Sequence, residues 1–318
     1  MIEVKELIKD FDGHPAVDGI TFQVGKGEVL GFLGPNGAGK STTMKIITCF
    51  LPPTAGTVVV GGHDIHQAPV AVREQIGYLP ESAATYPEMT VEEFLRFMAQ
   101  MRGIDGADTA RQTDRVMELT SLREVRGQVI ETLSKGYRQR TCLAQALIHD
   151  PPVLILDEPT DGLDPNQKHE MRQLIRRMGE QKTIILSTHI LEEMEAVCSR
   201  AVIIAKGRLR MDGTPGEMAA MSRYHQAVTI FPHTDDQGKL KERLAGISGV
   251  ETVEYTGPRD GTHRYTLFPQ TGKTIHPDVH SFLEKQKISV DQVFVERGRV
   301  DEVFRRLTLG DEAPVTGS

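Results

Sequence analysis

The stretch Gly34-Pro35-Asn36-Gly37-Ala38-Gly39-Lys40-Ser41-Thr42 decides the fold. It fits GxxxxGK[ST], a loop in which several backbone N–H groups converge on a polyphosphate. Only glycine lets a chain wrap an anion that closely, because side chains would intervene. An apolar run, Val29 to Leu33, precedes the loop, and a helix from Thr42 to about Phe50 is expected to follow it. That helix would turn its positive end to the phosphates. Lys40 is expected to reach the β- and γ-phosphates, and the Ser41 hydroxyl to ligate Mg²⁺. A phosphate cradle alone does not separate a kinase, a GTPase and a transport ATPase.

Working outward, apolar runs alternate with helix-length stretches to about residue 205, as in a parallel sheet flanked by helices. Val153 to Leu156 and Thr183 to Leu186 read as strands buried on both faces, with a helix from Pro165 to Met178 between them. The N-terminal part reads as short strands at Ile2 to Leu7, Ile20 to Val24 and Val29 to Leu33. Gly25-Lys26-Gly27-Glu28 is expected to join the last two as a hairpin turn. Residues 90 to about 121 read as helix with a break near Gly103 and Gly106. Thr90 and Glu93 should form a capping box before Phe94, Phe97, Met98 and Met101.

Two acids, Asp157 and Glu158, end the strand Val153 to Leu156, where ligands of open α/β sheets bind. Asp157 suits a role toward Mg²⁺, and Glu158 is placed to polarise an attacking water. Ser187-Thr188-His189 closes the next strand, so His189 is expected to contact the γ-phosphate.

With Leu133-Ser134-Lys135-Gly136-Tyr137-Arg138-Gln139, these segments resemble the ATP-binding subunit of an ABC transporter over residues 1 to about 216. The resemblance implies a P-loop NTPase domain of the ABC ATPase type, with a mixed sheet core and a helical subdomain, that binds ATP and Mg²⁺ and hydrolyses ATP. It makes Ser134 and Gly136 signature residues touching the γ-phosphate held by an opposite subunit. A helix expected from Arg138 to Ile148 would also offer its positive end there. It makes Asp164 a D-loop residue facing across a dimer, Phe11 a ring that stacks on adenine, and Val17 an apolar neighbour of the base. The signature keeps Ser134 and Gly136 but carries Lys135 and Tyr137 beside them. Glu81 stands where the family has glutamine, and is expected near Mg²⁺ and the attacking water. Both variants are similar to the branch of exporter ATPases that serves type-2 membrane subunits, including drug, sodium and gliding-motility systems. The implied partners are a second copy of the chain and a separate permease contacted near residues 81–101.

The remaining residues, 223–308, read as strand, helix, two strands, helix and strand, the βαββαβ order of a ferredoxin-like α+β domain. Gly213-Thr214-Pro215-Gly216 reads as a linker, Val300 to Leu307 as a last helix, and 309–318 as a disordered tail. Across 318 residues, 39% hydrophobic and 25% charged residues suit a soluble protein. No run approaches the roughly 18 apolar residues of a membrane span. A net charge of −7 argues against nucleic-acid binding. Three scattered cysteines suit a reducing cytoplasm, so a peripheral position on the inner face of the cell membrane, through the permease, is expected. Alternatives are a soluble ABC ATPase acting on ribosomes or DNA, and an importer motor.

Overall fold

The computed structural model describes residues 1–82, 84–233, 237–259 and 262–309, so the expected tail lies, apart from Leu309, outside the described residues. The chain divides into two compact units, Met1–Gly213 and the part from Thr214 onward.

The first unit opens with β1 (Ile2–Phe11) and β2 (His14–Val24), then β3 (Val29–Leu33) and α1 (Lys40–Ile47). After these come β4 (Ala55–Val60), β5 (His63–Asp64), α2 (Pro69–Gln75) and β6 (Ile76–Leu79). The helices α3 (Val91–Met101), α4 (Ala107–Leu119) and α5 (Lys135–Leu147) precede β7 (Val153–Asp157). The unit closes with α6 (Pro165–Gly179), β8 (Thr183–Thr188), α7 (Leu191–Val197), β9 (Arg200–Ala205) and β10 (Arg208–Gly213).

Six strands form one sheet in the order β10-β9-β3-β8-β7-β6, parallel except for the β9–β10 hairpin. Every residue of β3, β7 and β8 is buried, as continuous apolar strands in a doubly covered sheet should be. A second, antiparallel sheet has the order β2-β1-β4-β5. Ile2, Val4, Ile20 and Phe22 from it share one core with Leu30, Phe32, Ile155 and Val202, and α1 contributes Met44 and Ile47.

One expected connection differs. Gly25 to Glu28 does not form a hairpin, because β2 and β3 lie in different sheets. The turn is instead tied down by Glu28, whose Oε2 accepts the Gly25 N–H at 2.6 Å, and by Thr183 Oγ1, which accepts the Gly27 N–H at 3.0 Å. The hairpin is at Asp12-Gly13, both with positive φ, and it joins β1 to β2.

In the helical part, Thr90 and Glu93 form the expected capping box of α3. The buried face of α3 is Val91, Phe94, Leu95 and Ala99, while Phe97 and Met98 are half-buried and Met101 is exposed.

The boundary between the units falls inside the expected linker, and its part from Thr214 onward is ordered as a helix start. Thr214 and Glu217 make a capping box for α8 (Pro215–Ala220), which begins the unit. Then come β11 (Val228–Pro232), α9 (Gln237–Ala245), β12 (Val250–Arg259), β13 (Thr262–Pro269), α10 (His276–Lys285), β14 (Val290–Val295) and α11 (Val300–Leu309). The antiparallel sheet order β12-β13-β11-β14 is the ferredoxin-like arrangement expected from the βαββαβ pattern. Tyr265, Leu267, Leu244 and Val279 are at its core.

His149 follows α5, with Nε2 3.2 Å from the Ile76 carbonyl and a buried Nδ1. Burial, then the nearby Arg102 charge, depresses its pKa from 6.5 to about 4, against a smaller opposing effect of the Ile76 carbonyl. The folded state therefore binds fewer protons than the unfolded state between those values, and stability falls as pH drops from about 6.5 to about 4. In thermal melts across that window, His149→Gln should lose less Tm than the wild type. Parallel curves would show that the ring is not the titrating group.

Candidate active site

The cradle is a consequence of β3 meeting α1 with six residues between. Gly34 passes under Ile204 and Gly39 under Ala16, each so close that a Cβ would collide with a backbone carbonyl oxygen. Gly39 also has a φ of 106°, which side chains other than glycine's rarely tolerate. α1 therefore starts at Lys40, two residues earlier than its sequence pattern suggests, and Lys40 is drawn inside the loop. Its ammonium donates to the Gly34 carbonyl at 2.8 Å and the Pro35 carbonyl at 3.3 Å, and lies 3.6 Å from Glu158 Oε1.

Parallel pairing of β7 with β8 sets Asp157 beside Ser187. The Ser187 hydroxyl donates to Asp157 Oδ1 and accepts the Glu158 N–H at 3.1 Å, so it joins the two acids. Ser41, from the first turn of α1, donates to the same Asp157 oxygen at 3.3 Å. Glu158 adopts a φ of 49°, an uncommon value for a residue with a side chain, just where the strand ends at the cavity. Its Oε2 lies 2.9 Å from His189 Nδ1. A carboxylate only accepts, so this ring nitrogen carries the proton of that bond.

These groups border a cavity of about 610 Å³. Asn36 to Thr42, Glu81, Glu158 and His189 line it, and so do Ala16 and Asp161. Tyr78 stands nearby; burial raises its phenol pKa, and the Asp157 and Glu81 charges add to that.

Ser134 and Gly136 are elsewhere. Ser134 caps α5, accepting the Tyr137 N–H at 3.3 Å, and borders a separate cavity of about 210 Å³ with Gly136, Gln167 and Glu170. Helix α5 starts at Lys135, so Gly136 lies in its first turn and not before it.

A sequence profile described as ABC transporter matches residues 17–161. Nod factor export ATP-binding protein I of Paraburkholderia xenovorans is 33% identical over 309 residues, 96% of each chain. The probable multidrug ABC transporter ATP-binding protein YbhF of Escherichia coli is 38% identical over 223 residues, 70% of this chain but only 38% of that protein's length. A solved structure of an ATP-binding subunit of an ABC transporter shares 35% identity with a TM-score of 0.62, covering 69% of this chain and 91% of its own. The chain belongs to the ABC transporter ATP-binding family. It carries the ATP-binding, ATPase-type domain of that family.

The remaining expected residues of this ABC ATPase are spread more widely. Asp164 caps α6, accepting the Gln167 N–H at 3.0 Å. Phe11 is exposed at the end of β1, with the Lys9 ammonium 5.1 Å from its ring centroid. Val17 is fully buried in the core, so it has no surface to offer a base, and its neighbour Ala16 lines the cavity instead. Sequence reasoning passed over Ser187, although a hydroxyl in a buried strand opposite two acids needs a partner.

Lys40→Ala removes the one side-chain cation drawn into the loop. A titration with a fluorescent ATP analogue should show affinity reduced by about two orders of magnitude, the scale of a lost charge-assisted contact of about 3 kcal/mol. Unchanged affinity would place the phosphates elsewhere.

Proposed function

We propose that this ABC ATPase works as a homodimer that drives a separate membrane-spanning permease in export. The observation that carries the dimer is the division of the family's residues between two cavities of one chain. Lys40, Ser41, Asp157, Glu158 and His189 gather at one, and Ser134 and Gly136 border the other. Two chains related by a two-fold axis each complete the other's site, an isologous arrangement.

In each site the loop amides and the start of α1 bind the phosphates. The Lys40 ammonium exchanges its carbonyl partners and Glu158 for phosphate oxygens. Glu158 then orients and deprotonates the attacking water, while the His189 Nδ1–H, turning from Glu158 to a phosphate oxygen, and the N-terminus of the other chain's α5 face the charge developing on the transferred phosphoryl group. Ser41 and Asp157 offer hard oxygen ligands 3.3 Å apart at the end of the loop, a set that fits Mg²⁺ with waters and phosphate filling its remaining positions. When bound, that ion neutralises phosphate charge. Glu81 on the cavity wall is assigned to the same region, and Asp164 to the dimer-facing loop. Phe11, with its exposed ring, remains the adenine-stacking candidate.

Two further observations support a permease partner. Among the described residues no helix is long and apolar enough to cross a membrane. Phe50, Val70 and Met101 are exposed around a groove of about 500 Å³ that also includes Arg73 and Arg102. Tyr86 is exposed and edge-on to Phe97 at 5.4 Å, a further apolar patch within the segment expected to meet the permease. Export is supported by the likeness, across both units, to a relative named for export. The position follows from the partner: peripheral, on the cytoplasmic face.

Glu158→Gln should bind ATP but hydrolyse it at least about a hundredfold more slowly, the scale of a lost general base. It should accumulate as a dimer in size-exclusion chromatography with Mg-ATP. A monomer with wild-type turnover would sink the assignment. For Glu81, the test is ATPase rate against Mg²⁺ concentration. Glu81→Gln should keep hydrolysis with a shifted Mg²⁺ dependence, and Glu81→Ala should lose much more. Three superimposable curves would make Glu81 a solvated acid.

A further inference from the structure

The segment leaving Glu158 is fastened to the start of α5 at three places. Lys135 Nζ lies 3.7 Å from Asp161 Oδ2, and its side chain crosses Gly162 so closely that a Cβ there would collide with it. Gln139 Nε2 donates to the Pro159 carbonyl at 3.2 Å. Gly136 abuts the Gln167 amide without room for a Cβ. Asp161 lines the cradle's cavity, whereas Gly136 and Ser134 border the other one. Within one chain, a short path therefore joins the two cavities, and Lys135–Asp161 is its ionic member.

Lys135 is also in an unfavourable place. It is the first residue of α5, where the helix dipole repels a cation. A lysine there is better placed once its ammonium reaches a carboxylate, and Asp161 supplies one. We propose that Lys135 is a positioning residue for ATP hydrolysis. It holds Asp161, and with it the turn after Glu158, in register with the N-terminus of α5. The inference rests on the reading of the cradle and Glu158 as the hydrolytic site. Because both partners are more than half exposed, the effect is modest and electrostatic.

The test compares the wild-type full chain with Lys135→Met, Asp161→Asn, the double variant and Lys135→Arg, each corrected for its folded fraction by thermal melting. Each neutral single variant should lower kcat about threefold, the scale of one exposed ion pair, with the KM for ATP unchanged. The double variant should be no slower than the slower single one, since one interaction is removed twice. Lys135→Arg should stay near wild type. Additive losses, or a raised KM confined to Lys135→Met, would assign Lys135 to direct phosphate binding and overturn the proposal. An unchanged kcat in Lys135→Met would also overturn it.

Amide hydrogen exchange of residues 160–164 without nucleotide gives a readout independent of turnover. Lys135→Met should exchange faster there, and Lys135→Arg should restore protection. Equal protection in all variants would overturn the proposal even if kcat falls. A wild type that fails to hydrolyse ATP, with the exchange difference intact, would count against the hydrolytic reading alone.

Discussion

The ammonium of Lys40 is almost entirely removed from water, and much of the first unit is arranged around that fact. A buried cation is stable only with compensating oxygens close by. Here they are two carbonyls of its own loop and the carboxylate of Glu158. The carbonyls turn inward because the chain passes Gly34 and Gly39 without side chains. The carboxylate arrives because β7 lies two strands from β3, with β8 between. In the proposed function, a polyphosphate takes the place of the cluster that satisfies the lysine in the free protein. Binding can therefore exchange one set of oxygens for another without exposing a new charge.

The acids are held by the same economy of contacts. Asp157 and Glu158 are adjacent in sequence and would repel if both faced one point. Ser187 separates their duties by donating to Asp157 and accepting the backbone N–H of Glu158. Strand alternation and the left-handed φ of Glu158 then aim the two side chains differently. Asp157 meets Ser41, and Glu158 meets Lys40 and His189. A third buried acid, Glu193, is handled the same way: Thr188 donates to it at 3.0 Å, and Lys168 and Arg172 lie within 3.7 Å.

Much of this was legible in the sequence because it is local. The glycine spacing before Lys40, the acid pair at the end of an apolar run, the Thr90–Glu93 box and the βαββαβ order depend on neighbours within a few residues. Period and spacing report those directly. The misreadings have a common cause. Gly25 to Glu28 looks like a hairpin turn, and only strand pairing shows that β2 and β3 belong to different sheets. Gly213 to Gly216 does hold the unit boundary, but Pro215 at the first turn with Thr214 before it also makes it a helix start, which the linker reading missed.

By itself, then, the sequence determined which groups are present: a glycine-rich loop with Lys40, two acids, a histidine, a Ser-Lys-Gly run ahead of a helix and a ferredoxin-like appendix. Each is written in residues close together along the chain. The tertiary structure decided which of them meet. It placed Ala16 on the cavity wall and Val17 in the core, a difference of one residue along a pleated strand whose side chains alternate between faces. It also set Ser134 and Gly136 in a cavity apart from Lys40, and brought Lys135 to Asp161. Lys135 and Asp161 are 26 positions apart and Lys40 and Glu158 are 118 apart, and only the strand order and helix packing of the folded chain bring such pairs together.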